Sequence, residues 1–253
     1  MSYAEFVPHP GLRGWVKCLW TIHEEPSDDI QEIWPDGCIE LLFSLGNHLR
    51  IQSDGTAVPI PSPAVLGLQT GIMRVRTAGE VRLLAARLLP VGVPDWDPAE
   101  LQSLDRKIQP LLASPDTESA RSLLESWLLE HPLALDELAV TLRTLVENYG
   151  NISVAALAGQ RRLSVRQLQR EFHERLGISP KNLSIVLRFA RSWSVLLQNP
   201  DISLADLALE LGFTDQAHFT HAFGALGGES PRRFAQIFGK TSRSYKKRKS
   251  SSA

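Results

Sequence analysis

The chain has 253 residues, of which 43% are hydrophobic and 22% are charged, and its formal net charge at pH 7 is −1. This length and composition indicate a soluble globular protein with two domains that each bury a core. No apolar run approaches the roughly 20 residues that cross a bilayer, and the N-terminus lacks a signal-peptide layout, so we expect a cytoplasmic protein.

Residues 1–93 contain short β-like runs separated by turn signals such as Ser53–Asp54–Gly55. Runs of this length between turn residues are typical of strands joined by tight connections. They predict a small antiparallel β-barrel or sheet. The runs are Cys38–Leu45, Leu49–Gln52, Ala64–Leu68, Ile72–Thr77 and Val81–Leu89.

A small barrel has an interior lined by alternate strand residues, and three tryptophans, Trp15, Trp20 and Trp34, fall close together in this region. Aromatic walls with one or two polar groups hold small organic ligands, and Asp36 and Glu40 supply such groups. These five residues are the candidate ligand site of a sensory domain. The alternative is that the tryptophans fill the core and that Asp36 is a turn residue.

The histidines and cysteines of this region show no metal-ligand spacing. His9, Cys18, His23, Cys38 and His48 are scattered, with no i,i+2 or i,i+4 pair that would place two ligands on one face. The two cysteines fit a reducing compartment and argue against a disulfide framework. No phosphate-binding glycine loop or nucleophile elbow is present. We therefore expect no metal, no cofactor and no catalytic residue.

Residues 94–132 change to a helical periodicity. Such helices can pack on the barrel, join a dimer, or both. We treat the segment as a helical linker that can also carry dimerisation helices. Its recurring apolar positions are Leu101, Leu104, Ile108, Leu111, Leu112, Ala120, Leu123, Leu124, Trp127 and Leu128.

The stretch from Ile152 to Pro180 reappears, loosely but in order, from Ile202 to Pro231. The offset is 50 in the first half of each copy and 51 in the second half, which places a one-residue slip at the start of the second helix. The matched pairs are Ile152/Ile202, Ser153/Ser203, Leu157/Leu207, Ala158/Ala208, Ser164/Thr214, Leu168/Phe219, Phe172/Phe223, Gly177/Gly228, Ser179/Ser230 and Pro180/Pro231.

Each copy has the pattern of a helix-turn-helix unit. A serine cap opens a short helix, and a hydroxyl cap, Ser164 or Thr214, opens a second helix with apolar anchors at i and i+4. The other face of the second helix carries Arg and Gln, the residue types that reach base edges in the major groove. That face presents Arg166, Gln167, Gln169, Arg170 and His173 in the first unit and Gln216, His218, Thr220 and His221 in the second.

The segment GFTDQAHFTHAF…GGESPRRF, from Gly212 to Phe234, resembles the signature of AraC/XylS-type transcription regulators. The upstream segment ISVAALAGQRRLSVRQLQREFHERLGISP resembles the first helix-turn-helix of that family. The resemblance implies a DNA-binding domain over residues 133–239, with two units joined by a long helix at roughly Pro180 to Gln198. Carried over by position, the implied base contacts are Arg166, Gln169 and Arg170 in the first unit and Gln216, Ala217, Thr220 and His221 in the second.

The sequence departs from the family pattern at several positions. His221 stands where the family commonly has Arg, and Gly224 stands where a Lys or Arg often touches phosphate. Arg161 and Arg162 occupy a turn where a small residue or Gly is more usual. These departures suggest that the second unit grips DNA less strongly than the first, or reads a different base.

The N-terminal region contains an element with a family resemblance of its own. The element WPDGCIELLFSLG, from Trp34 to Gly46, resembles an N-terminal element of AraC-type regulators whose sensory domains are poorly characterised.

The C-terminal part of the chain is rich in positive charge. From residue 133 onward there are 17 Lys and Arg against 10 Asp and Glu, but six of the positive charges lie in the tail, residues 240–253. The tail is either a disordered solubilising end or a flexible basic arm that contacts phosphates.

The sequence therefore predicts an α+β protein of two domains that regulates transcription, with a β-rich sensory domain and a double helix-turn-helix domain. Its expected partners are promoter DNA, RNA polymerase and a small-molecule effector, and a homodimer is a further expectation from the family. Activation is the family's usual mode. The alternatives are an enzyme, or a protein-interaction module with degenerate helix-turn-helix units.

Overall fold

The computed structural model describes residues 2–114, 116–134 and 136–238. The predicted basic tail, residues 240–253, lies outside the described residues. The N-terminal part is built from strands followed by two helices, and the C-terminal part is built from helices. This is the predicted α+β architecture with two kinds of domain.

The described part of the chain contains nine strands. They are β1 (Ser2–Phe6), β2 (Val16–Glu24), β3 (Ser27–Ile33), β4 (Ile39–Leu45), β5 (His48–Ile51), β6 (Ala57–Pro59), β7 (Ala64–Leu66), β8 (Met73–Thr77) and β9 (Val81–Leu88). The five runs predicted from the sequence correspond to β4, β5, β7, β8 and β9. Strands β1, β2, β3 and β6 were not among the predicted runs.

The strands form two antiparallel sheets. The first has the order β1-β2-β9-β4-β7, and the second has the order β3-β8-β5-β6. In the first sheet, Leu19 lies opposite Ala86 and Trp20 lies opposite Ala85, which fixes the register of the central strands β2 and β9. Side chains alternate across a strand, so this register also decides which residues face each side of the sheet.

Both faces of the first sheet are covered. Leu19, Leu41 and Leu84 are fully buried on the side that faces two helices, α1 (Pro98–Ala113) and α2 (Thr117–Glu130). The alternate residues Trp20, Leu42 and Leu83 pack against the second sheet. The predicted apolar positions of residues 94–132 therefore share a core with the first sheet. The proposed domain boundaries at residues 93 and 132 stay a prediction.

Residues 136–238 supply the remaining seven helices of the described chain. They are α3 (Glu137–Glu147), α4 (Val154–Gln160), α5 (Val165–Leu176), α6 (Pro180–Gln198), α7 (Leu204–Glu210), α8 (Gln216–Gly227) and α9 (Pro231–Phe238). Helices α4 and α5 form the first helix-turn-helix unit, and α7 and α8 form the second. The joining helix α6 has the predicted bounds.

The structure shows which residue of the second unit causes the one-residue change in offset between the two repeats. The turn before the second helix is the same in both, since Leu163 donates to the Ala158 carbonyl and Phe213 donates to the Ala208 carbonyl, each at 2.9 Å. Helix α8 is then capped by Asp215, whose carboxylate accepts from the His218 amide at 2.8 Å. The prediction that Thr214 caps this helix is wrong. Thr214 is the extra residue, and Asp215 is the counterpart of Ser164.

The equivalent turn residues of the two units share a left-handed backbone. Arg162 has a φ of +52° and Gly212 has a φ of +72°. A left-handed conformation costs a non-glycine residue about 1–2 kcal/mol, because its Cβ crowds the backbone. A Cβ at Gly212 would also lie 2.0 Å from Oδ1 of Asn151, so the glycine is required there for a second reason.

We expect Arg162→Gly to raise the free energy of unfolding by up to about 1 kcal/mol, since Gly relieves the backbone strain but gains entropy in the unfolded chain. Gly212→Ala is the matched reverse change and should lower the free energy of unfolding by more than about 1 kcal/mol. Urea denaturation of the full chain measures both. A loss of stability in Arg162→Gly would contradict the assignment of strain to this turn.

Candidate nucleic-acid interface and barrel site

The sequence of α5 fixes both its start and its buried face. Ser164 and Gln167 form a capping box, in which the Ser164 amide donates to Oε1 of Gln167 at 2.8 Å and the Gln167 amide donates to Oγ of Ser164 at 3.2 Å. Leu168 and Phe172 are fully buried, and Gly177 ends the helix in the left-handed conformation. The opposite face of α5 is therefore directed to solvent.

That opposite face carries the residues predicted to read bases. Arg166, Gln169, Arg170 and His173 are all exposed, and the first three lie around one shallow concavity. Gln167 lines the same concavity, but its side-chain oxygen already accepts from the cap. The structure thus brings four predicted contacts to one surface with side chains directed to solvent, and gives Gln167 a capping role.

Helix α8 presents the corresponding surface of the second unit. Phe219 and Phe223 are buried, whereas Gln216, Ala217 and His221 are exposed. Two other polar residues of this helix are more restricted. Thr220 is half-buried, and His218 is exposed but has its ring edge-on to Phe213 at a centroid distance of 5.3 Å.

The two candidate surfaces differ in charge. Helix α5 has exposed Arg166 and Arg170, and Nε of Arg170 lies 3.8 Å from Oε1 of Glu174. The sequence of α8 contains no Lys or Arg. Anionic phosphates attract fixed positive charge, so the first surface is the stronger candidate for electrostatic attraction to DNA.

Two arginines outside the predicted base-reading surfaces hold the units in place. Arg161 is ion-paired with Glu171 and lies 3.1 Å from Glu137, which ties the first unit to α3. Arg188 of α6 donates to the Gly212 carbonyl at 3.3 Å and lies 4.9 Å above the centroid of the Phe213 ring. Burial lowers the pKa of Arg188. Nothing in their sequence spacing distinguishes these arginines from surface charges.

The β-rich N-terminal domain, whose two packed sheets we call the barrel, contains a polar site centred on Arg87 of β9. Nε of Arg87 lies 2.6 Å from Oε1 of Glu40 and 3.3 Å from Oδ2 of Asp36. The Trp20 indole donates to Oε2 of Glu40 at 2.8 Å, and Nη1 of Arg87 lies 3.6 Å from Glu5. One buried guanidinium is therefore shared among three carboxylates. Burial raises the pKa of Glu40, while Arg87 acts in the opposite direction.

Three of the five candidate ligand residues meet at this site, and two do not. Trp20, Asp36 and Glu40 surround Arg87. Trp15 is buried on the other side of the sheet, against the helices. Trp34 packs against the C-terminal domain. The three tryptophans therefore do not form a common aromatic wall, because Trp15 lies before β2, Trp20 lies within β2 and Trp34 lies in the turn before β4.

Both cysteines of the chain, Cys18 and Cys38, are buried free thiols, and burial raises the pKa of Cys18 to about 11. Within residues 2–114, 116–134 and 136–238, no group of three or more His, Cys, Asp or Glu residues is arranged to bind a metal. None of the helices in that part of the chain is both long and apolar enough to cross a membrane.

Comparisons with known families match the two parts of the chain separately. Residues 141–237 match a family described as a helix-turn-helix domain. Residues 4–107 match a family described as a domain of unknown function (DUF6597). The second match covers the barrel and the start of α1, which agrees with their common core.

Known proteins resemble about a third of the chain. The Msm operon regulatory protein of Streptococcus mutans is 33% identical over 87 residues, which are 34% of this chain and 31% of that protein. The HTH-type transcriptional activator RhaS of Escherichia fergusonii is 33% identical over 85 residues, 34% of this chain and 30% of that protein. The matches thus span less than a third of the length of these relatives.

A solved structure extends the likeness to both domains. The 1.65 Å structure of ToxT from Vibrio cholerae aligns with a TM-score of 0.51 at 12% identity, covering 87% of this chain and 98% of that one. At this identity the likeness concerns the fold. A β-rich domain followed by a helical domain is therefore a known arrangement.

The contribution of the Arg87 charge to stability can be tested by replacing Arg87 with an uncharged residue. We expect Arg87→Met to lower the free energy of unfolding by about 3–5 kcal/mol, because it leaves buried carboxylates without their partner. The loss should grow as pH rises from 5 to 7. In the variant, the buried carboxyls without a partner have a higher pKa in the folded chain than in the unfolded chain. Such a carboxyl lowers the free energy of unfolding as the pH rises from 5 to 7.

Urea denaturation at the two pH values measures this loss. Arg82→Met is the matched control, since Arg82 lies on the same strand, pairs with Glu80 and is more exposed than Arg87. A pH-independent loss in Arg87→Met, or an equal loss in the control, would contradict the assignment of the buried charges.

Proposed function

We propose that this chain, in which residues 141–237 form an AraC-type helix-turn-helix domain, is a one-component transcription regulator that binds promoter DNA through both units. The observation that carries the proposal is the repeated geometry of α5 and α8. Each helix buries its aromatic or aliphatic anchors and presents polar side chains on the opposite, exposed face. A helix of this kind fits the major groove.

The two units contribute differently in this proposal. Arg166, Gln169 and Arg170 supply base contacts and positive charge, whereas Gln216, Ala217, Thr220 and His221 supply base contacts with little charge. His173 lies one turn beyond Arg170 and completes the first surface. The first unit therefore provides most of the affinity, and the second unit adds selectivity.

The N-terminal domain is proposed to sense a signal or to join two copies of the chain. The site around Trp20, Asp36 and Glu40 is the candidate position for a small-molecule effector, since polar groups there converge in a largely apolar domain. Activation through RNA polymerase in the cytoplasm is part of this proposal, and the likeness to a protein described as a transcriptional activator supports it. Binding of the full chain to promoter fragments, with affinity that falls as salt rises, separates this function from an enzyme or a protein-interaction module.

The role of Arg170 can be tested on a promoter fragment selected by the full chain. Arg170→Ala should weaken binding to that fragment by about 1–3 kcal/mol and relax the preference at one base, with a smaller effect on random DNA. Arg106→Ala removes the same charge from an exposed position on α1 and serves as control. Equal losses on selected and random DNA would leave Arg170 with a phosphate contact only.

The tail, residues 240–253, can be tested through the salt dependence of binding. Its deletion should lower affinity for any DNA and reduce the slope of log K against log salt by up to about 0.9 for each phosphate that the tail neutralises. The matched control keeps the length of the tail and replaces its six Lys and Arg residues with Gln. If both forms retain the slope of the full chain, the tail does not contact phosphates.

A further inference from the structure

The turn that follows strand β3 reaches out of the barrel domain into the second helix-turn-helix unit. The Trp34 ring lies edge-on to Phe234, with a centroid distance of 5.2 Å, and edge-on to Phe238 at 4.8 Å. Both phenylalanines belong to α9. Trp34 is thus a residue of the N-terminal domain that packs on the aromatic cluster of the C-terminal domain.

Two neighbouring contacts show that the domains fit closely around this turn. A Cβ at Gly37 would lie 2.8 Å from Cδ2 of Leu187 on α6, so the two domains approach closely there. A Cβ at Gly228 would lie 3.0 Å from Cδ1 of Ile72, and Gly228 is the residue that ends α8. The N-terminal domain therefore contacts the joining helix α6, helix α9 and the end of the second recognition helix, α8.

The aromatic cluster continues from Trp34 to the buried face of α8. The ring centroid of Phe234 is 5.4 Å from that of Phe223, which is an anchor of α8. The opposite, exposed face of the same helix carries Gln216 and His221. Close-packed rings do not compress, so a displacement of Trp34 moves α9 and with it the position of α8.

The other end of the turn is anchored inside the barrel. Oδ1 of Asp36 accepts from the Cys38 amide at 2.9 Å, and Oδ2 of Asp36 lies 3.3 Å from Nε of Arg87. Arg87 is in turn held by Glu40 at 2.6 Å. The same five-residue connection, residues 34–38, therefore contacts the buried charges of the barrel and the core around the second unit.

We propose that Trp34 is a positioning residue for the second recognition helix, and that the contact between Asp36 and Arg87 sets the position of Trp34. This inference rests on the proposed function, because it concerns how the second unit reads DNA. It makes the base preference of α8 depend on the state of the barrel.

The first test measures base discrimination by the full chain on a selected promoter fragment. Trp34→Ala should reduce discrimination at the bases read by the second unit by about 2- to 30-fold, the range that packed side-chain networks transmit. Discrimination at the bases read by the first unit, and affinity for random DNA, should stay unchanged. Trp34→Phe should restore the discrimination, since it keeps an aromatic ring against α9.

Trp127→Ala is the matched control, because Trp127 is also half-buried in the N-terminal domain but packs on Trp96 and His131. An equal effect in this control, or a loss shared by both sets of bases, would reduce Trp34 to a purely structural residue and overturn the proposal.

The second test needs no DNA and reports on the coupling itself. Asp36→Asn keeps the oxygen that accepts from Cys38 but removes the charge beside Arg87, and it should speed hydrogen exchange in residues 231–238 by about 2- to 30-fold. Exchange in α5 should not change. Glu5→Gln removes another carboxylate from Arg87 without altering the turn, and is the control.

Equal rates of hydrogen exchange in residues 231–238 of the Asp36→Asn and Glu5→Gln variants would overturn the coupling between the barrel and the second unit. If the full chain selects no DNA at all, the proposed function fails, and the exchange experiment alone decides whether the turn couples the two domains.

Discussion

The helix α6 serves two hydrophobic cores at once, and the arrangement of the DNA-binding domain depends on it. Leu183 and Leu187 pack in the core of the first unit, whereas Val186, Phe189 and Trp193 pack in the core of the second. These positions follow the helical repeat along two adjacent stripes, so one helix presents an apolar surface to each unit. A large rotation of one recognition helix relative to the other would disturb the packing of α6 in these cores.

Helix bounds and exposed helix faces depend on local sequence and could be predicted. The internal repeat supported these predictions, because the same pattern occurs twice. Helix α6 begins at Pro180 after a serine cap and ends at Gln198, as the family resemblance implied. The exposed positions of Arg166 and Arg170 follow from the burial of Leu168 and Phe172 on the opposite side of α5. The cap of α8 was assigned one residue too early, because Thr214 and Asp215 are both good capping residues and only the turn geometry separates them.

Features set by tertiary contacts were not predictable. Strand β3 has the sequence SDDIQEI, which lacks an apolar alternation. Its pairing with β8, and not its own sequence pattern, stabilises it as a strand. Arg87 lies in a run of apolar residues and shows no partner until β9 pairs with β4, which brings Glu40 beside it. The tryptophans were grouped by their closeness in sequence, but strand alternation and the domain interface separate Trp15, Trp20 and Trp34.

The shared helix also has a consequence for where this protein acts on a genome. A 19-residue helix is about 28 Å long, which is close to the roughly 34 Å of one DNA turn. Because α6 packs in both cores, it restrains the distance between the two candidate base-reading surfaces. Under the proposed function, the target is therefore two short base sequences at one preferred spacing, and a base pair inserted between them should weaken binding.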